Sequence, residues 1–234
     1  MHDTSSSPSS PDTSSPESAL ETRWAEALDT LGAREAIKLW TSKVGPLRRT
    51  YFDPQQCRIL KIALKNPAEG ILDAYGELSR EFRIVQQLHN YIPVPKPIDL
   101  IKTDDFQAAC YHWIDAVPLS NYTGSFSRRL VIMARITFAL GLLSLRGIAH
   151  NDLLGHNILI TPQGKPYLID FDKAQVTSVR SALAANFFRK KRGGDPTFYG
   201  SMRRLAREEL WQRSPKLLRS TGRLLRRGLS LVRR

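Results

Sequence analysis

The stretch His150-Asn151-Asp152-Leu153-Leu154-Gly155-His156-Asn157-Ile158-Leu159-Ile160, continued by Tyr167-Leu168-Ile169-Asp170-Phe171-Asp172-Lys173, decides how this chain is read. Ile158-Leu159-Ile160 and Tyr167-Leu168-Ile169 read as short apolar strands, and the segment 161–165 between them as a turn. Two strands joined by a turn bring the polar groups at their outer ends together. Asp152 precedes Asp170 by 18 residues and Asn157 precedes it by 13. A polar loop between strands can hold such residues by chance, and a single His-x-Asp would leave that reading strong. Four positions in register, with apolar strands between them, argue for a site.

Upstream, an apolar helix is expected over 127–145. Before it, strands flank the turn at Asp104-Asp105, the second from Ala108 to about Ile114. Pro93, Pro95 and Pro97 keep their segment extended. A helix over 71–88 places Tyr75, Leu78, Phe82 and Val85 on one face. Asn66-Pro67 breaks the chain, and strands are expected over 36–42, 49–52 and 57–64, with a turn at Gly45-Pro46. Ser18 and Glu21 form a capping box for a helix carrying Leu20, Trp24, Leu28 and Leu31, which Gly32 stops. Strands crowd the first half and helices the second, an α+β pattern with two lobes. The expected organisation is a Ser/Pro-rich tail over 1–18, an N-terminal lobe over 19–115 and a C-terminal helical lobe over 116–234.

Composition narrows the class. The chain has 234 residues and an apolar fraction of 41%, ordinary for a globular protein. No apolar run reaches the roughly 20 residues of a membrane-spanning helix. The Ser/Pro-rich N-terminus has neither the basic nor the apolar stretch of a secretory signal and is expected to be disordered. Cys57 and Cys110 are too few for a disulfide framework and read as buried structural thiols, which suits a cytoplasmic protein. The net charge of +13 is unevenly placed, since residues 189–234 hold fifteen Lys/Arg against three acids.

The segment 150–172 resembles the catalytic loop and metal-binding Asp-Phe-Gly of the protein-kinase superfamily. The resemblance implies a two-lobed fold with a shortened C-terminal lobe, and transfer of the γ-phosphate of ATP to a hydroxyl. Asp152 would face the acceptor hydroxyl, while Asn157 and Asp170 would hold Mg²⁺. Lys61, in Ile59-Leu60-Lys61-Ile62, stands where the superfamily carries a phosphate-gripping lysine. Glu81, 20 residues later on the expected helix, stands where its partner lies. Taken alone, Lys61 reads as a surface residue of an edge strand. Tyr111, Trp113 and Ile114 fall at the hinge, where backbone groups bind adenine, or else simply end an aromatic strand. His150 would pack and hydrogen-bond within the loop. His156 would touch phosphate or lie exposed.

Departures from the pattern are as informative. No Gly-rich loop lies between Ala36 and Lys61, Leu154 replaces the lysine of serine/threonine kinases, and Asp172 replaces the final glycine, where it adds a carboxylate near the metal site or caps the next turn. Lys173 is the candidate to replace that lysine. No Ala-Pro-Glu follows, so the peptide-docking part is absent or rebuilt. His150–Leu159 and Leu168–Lys173 are similar to the HxDLxxHNIL and LIDFDK of lipopolysaccharide kinases acting on the 3-deoxy-manno-octulosonic acid (Kdo) sugar of the inner core. That likeness implies a sugar or lipid-linked sugar acceptor at the inner face of the cytoplasmic membrane. A compact serine/threonine protein kinase and a catalytically weak pseudokinase or scaffold are the alternatives. In the tail, Leu210-Trp211, Leu217-Leu218, Leu224-Leu225 and Leu231-Val232 recur every seven residues among arginines. This amphipathic basic segment would pack on the large lobe or lie on an anionic membrane. Nucleic-acid binding ranks last, because no recognition module accompanies the charge.

Overall fold

A computed structural model of the chain describes residues 16–41, 47–65 and 73–188. The Ser/Pro-rich start, Gly45-Pro46, Asn66-Pro67, the side chain of Tyr75 and the basic tail from 189 onward lie outside the described residues. The described chain is a mixed architecture of sheet and helix. It divides into two compact units, one formed by 1–78 and 98–111 and the other by 79–97 and 112–234.

In the first unit, α1 (Pro16–Thr30) precedes β1 (Ile37–Thr41), β2 (Arg48–Asp53) and β3 (Arg58–Leu64). β4 (Pro97–Lys102) and β5 (Phe106–His112) complete a five-stranded sheet of order β1-β2-β3-β5-β4. β1–β2 and β2–β3 are antiparallel pairs. α1 starts at Pro16, so Ser18 lies inside the first turn and the expected capping box does not form its start; proline's fixed φ suits that opening position. Its end is as expected: Gly32 takes φ +61°, and Ala33 N–H donates to Leu28 O at 2.8 Å, closing the last turn.

Trp24 and Ala27 of α1, with Leu31 just after it, join Tyr51, Leu60, Ile62, Phe106, Ala108 and Cys110 of the sheet in one buried cluster. The Arg49 guanidinium lies 4.7 Å from the centre of the Trp24 ring and donates to Glu21. At the β2–β3 turn, buried Arg58 bonds Asp53 at 2.9 Å and Leu31 O at 2.7 Å, tying helix to sheet. Cys110 is buried, and burial pushes its thiol up to about 11. Cys57 corrects the expectation of two buried thiols: it is exposed at that turn, with φ +50°.

α2 (Asp73–Leu88) begins in the first unit and ends in the second, burying Leu78, Phe82, Val85 and Leu88. The second unit continues with β6 (Val117–Pro118), α3 (Phe126–Leu145), β7 (Ile148–Ala149), β8 (Ile158–Ile160), β9 (Pro166–Leu168), β10 (Gln175–Val176) and α4 (Val179–Leu183). β6-β8-β9 form one small sheet and β7-β10 a second. Ser125 caps α3 by accepting from Arg128 N–H, and Gly147 at φ +68° ends the turn that follows it. A Cβ at Gly147 would come within 2.4 Å of Thr177 O, so the β7–β10 pairing needs glycine there.

Candidate active site

The site lies in the second unit, at the open end of the β8–β9 hairpin. β8 and β9 pair antiparallel with Ile158 opposite Leu168, and Ile169 N–H donates to Asn157 O at 3.0 Å. That pairing sets the residues before β8 beside those after β9. Ile158, Ile160, Leu168 and Phe171 are buried, which fixes the hairpin by burial rather than by its few backbone bonds.

Carboxylate oxygens of Asp152, Asp170 and Asp172 lie within 4.8 Å of one another. Asp152 and Asn157 are buried; Asp170 and Asp172 are half-buried. Two residues of the site take left-handed backbone conformations, Asn151 at φ +63° and Asp170 at φ +67°. Such angles are tolerated best by Asn, Asp and Gly among all residues. At Asp170 the reversal of chain direction, closed by Ala174 N–H on Phe171 O at 3.0 Å, turns Asp172 back toward Asp152.

The backbone of Asp152 is held from two sides. Asn157 Nδ2 and Leu154 N–H both donate to Asp152 O at 2.9 Å. Asn157 therefore uses its nitrogen to brace the loop and keeps its oxygen, Oδ1, for another partner. Lys173 Nζ donates to Asp152 Oδ2 at 2.7 Å. The Asp152 hydrogen bond, with Asp172 and Asp170 adding attraction, raises the Lys173 pKa. Arg80 donates to Asp172 O and Asn151 to Lys173 O, which secures the turn on both sides.

Behind the loop, His150 is fully buried and packs against Phe171 with ring centres 4.5 Å apart and the rings tilted by 46°. Its Nε2 lies 3.0 Å from Ile169 O, and Asp152 N–H donates to its Nδ1. Burial lowers its pKa to about 4, so the ring is neutral at pH 7 with the proton on Nε2. The structural part that sequence expectation gave His150 is what its contacts show.

Asn186 carried no sequence signal, because its segment was read only as basic and helical. Its Oδ1 accepts from His150 N–H at 2.9 Å, and its Nδ2 donates to Ser144 Oγ and Ile148 O, both at 2.9 Å. It thus ties the loop to the end of α3. In an Asn186→Leu variant these buried groups lose their partner, and stability falls by about 2–3 kcal/mol at similar side-chain volume. Urea unfolding of variant and wild type measures it.

The remaining expected residues are placed as follows. Lys61 is half-buried on β3 opposite Thr50, in the first unit, whereas Glu81 is buried on α2 within the second. Tyr111 is buried near the end of β5; Trp113 is exposed and Ile114 half-buried, both between β5 and β6. The last of the three chain crossings between the units falls between Tyr111 and His112. His156 is exposed on the turn before β8. Among the described residues no helix is long and apolar enough to cross a membrane.

No family model matches the chain. No curated protein matches it either. Among solved structures, it is similar to a chain of the yeast RNA Pol II CTD kinase CTDK-1 complex, at 17% identity and a TM-score of 0.45. The match covers 61% of this chain and 47% of that one, so this chain spans about half the length of that chain, and the likeness bears on neither activity nor partner.

Proposed function

We propose that the chain is an ATP-dependent phosphotransferase that moves the γ-phosphoryl group to a hydroxyl. One observation carries the reading: three carboxylates, of Asp152, Asp170 and Asp172, meet within 4.8 Å at the end of a hairpin that also presents Asn157. Carboxylate and carboxamide oxygens are the hard donors that Mg²⁺ takes, so the residues present fit that ion. Asp170, Asn157 Oδ1 and Asp172 would hold it. Bound there, Mg²⁺ would neutralise the charge of the triphosphate.

In this reading the braced Asp152 carboxylate orients the acceptor hydroxyl and takes its proton as the oxygen bonds to the γ-phosphorus. The bond from that phosphorus to the β,γ-bridging oxygen breaks, and ADP leaves. Lys173 keeps a positive charge beside the reacting oxygens and replaces the lysine absent at Leu154. Lys61, held by Glu81, would grip the phosphates, and backbone groups at Tyr111, Trp113 and Ile114 would bind adenine.

The acceptor we favour is a Kdo-type sugar of a lipopolysaccharide core. The HxDLxxHNIL and LIDFDK likeness and the basic tail support it. The test is γ-labelled ATP offered in parallel to Kdo-containing lipid A and to a generic protein. Label in the lipid supports the sugar acceptor; label in protein alone favours the compact protein kinase.

A scaffold without turnover has one feature in its favour, since the Asp152 carboxylate is already ion-paired with Lys173. Transfer of label by the wild type separates the two readings, and Lys173→Met then tests the lysine. If Lys173 serves transfer, the rate falls by about 10²–10³ while the fold persists, because the lysine is 55% exposed. An unchanged rate would remove Lys173 from the mechanism.

A further inference from the structure

α3 is apolar on both sides. Ile132, Ile136, Ala139, Leu140 and Leu143 point into the second unit and are buried. On the opposite side Leu130, Val131, Phe138 and Leu145 are 45%, 51%, 69% and 66% exposed, with Ala134 between them. At 100° per residue these positions form one outward stripe along the helix. An exposed helix normally turns a polar face to water, and a contiguous apolar stripe of this length marks an interaction surface.

Charge identifies the partner. Neither α3 nor the 161–165 turn beside it contains an Asp or Glu. Arg128, Arg135 and Arg146 run along one edge of the stripe, and all three are exposed. Between α3 and the turn lies a shallow open groove of about 210 Å³ lined by Ser127, Arg128, Val131, Ile132, Arg135 and Gln163. Arg135 donates to Gly164 O at 2.8 Å, which fixes one wall. At the other end the Arg146 guanidinium lies 3.7 Å from the centre of the exposed Tyr91 ring, an aromatic–cation pair suited to a lipid–water boundary.

We propose that this face of α3 docks on an anionic phospholipid bilayer, the stripe entering the interface and the arginines along its edge meeting lipid phosphates. The inference does not rest on the phosphotransferase reading. Two other occupants fit less well. The chain's own segment 189–234 carries a surplus of twelve positive charges and would set arginines against arginines. A second copy lying on the same stripe would do likewise. An anionic membrane alone complements both the apolar stripe and its cationic edge.

The test is flotation of the full chain with phosphatidylcholine vesicles, with and without phosphatidylglycerol, together with light scattering. Wild type is expected to float only with the anionic vesicles. Phe138→Glu combined with Leu145→Glu is expected to weaken that binding on the order of a hundredfold, with the protein's mass unchanged. Arg128→Gln with Arg135→Gln is expected to weaken it too. Undiminished binding by the stripe variant would overturn the proposal, since another segment would then carry attachment. A loss of dimer mass in that variant would overturn it as well, because the partner would be a second copy. Emission from a Phe138→Trp variant covers the case where charge loosens the helix. The chain has four native tryptophans, so a blue shift on adding anionic vesicles that exceeds the wild-type shift supports docking, and a shift no larger than that of wild type refutes it.

Discussion

Replacing Asp152 by alanine is expected to lower phosphoryl transfer from ATP by about 10²–10⁴ and to leave the protein folded. The rate effect follows from where the carboxylate sits. Its backbone carbonyl accepts two hydrogen bonds at 2.9 Å, so the side chain leaves a loop that is already fixed. A general base held in this way contributes through position, and removal loses both the proton acceptor and the orientation of the hydroxyl. The stability effect is small because the partner lysine is 55% exposed and regains water when the carboxylate goes. Asp152→Asn keeps the shape and should lose nearly as much rate. Single-turnover transfer with γ-labelled ATP, read beside thermal unfolding, separates chemistry from folding. Transfer by Asp152→Ala at the wild-type rate would remove it from the mechanism.

Acid is expected to loosen the fold through His150. Its folded pKa, about 4, lies below the ordinary 6.5 because burial penalises the charged ring. Above pH 6.5 the ring is neutral in folded and unfolded chains alike, and its contribution is constant. As pH falls below 6.5 the unfolded chain takes up a proton that the native ring refuses. Stability therefore declines from about pH 6.5 to about pH 4 and levels off below, by on the order of 3 kcal/mol in all. Carboxylates titrate at the lower end of this window, so the quantity to read is the difference between wild type and His150→Gln. Urea unfolding across the window should show a steeper decline in wild type. Parallel curves would mean that His150 takes no part in it.

The hairpin was legible because its strands are apolar triplets with polar ends, and because the spacing from Asp152 to Asp170 fixes what meets what. α3 was legible from its length and apolar content. What its sequence does not reveal is which apolar side meets the core, since a periodic pattern marks a buried face only where polar residues alternate with it. β6, β7 and β10 are two residues long and have no pattern to detect; tertiary pairing alone makes them strands. Asp172 reads as a departure from glycine that either adds a carboxylate near the metal site or caps the next turn, and sequence alone leaves the two open. Its place among the carboxylates depends on the left-handed conformation at Asp170, which composition does not announce. Asn186 was invisible for a different reason. Its importance comes from three partners distant in sequence, at Ser144, Ile148 and His150. Cys57 misled because an apolar thiol was assumed to be buried, whereas a tight turn exposes it.

The most direct test of the carboxylate cluster is binding of Mn²⁺, a paramagnetic stand-in for Mg²⁺, in the presence of a non-hydrolysable ATP analogue. Asp170→Asn is the informative variant, because asparagine accepts the φ of +67° and so removes charge without forcing the backbone. Wild type is expected to bind Mn²⁺ with the nucleotide, and Asp170→Asn to bind it roughly tenfold to a hundredfold more weakly. Equal affinity in the two proteins would contradict the account.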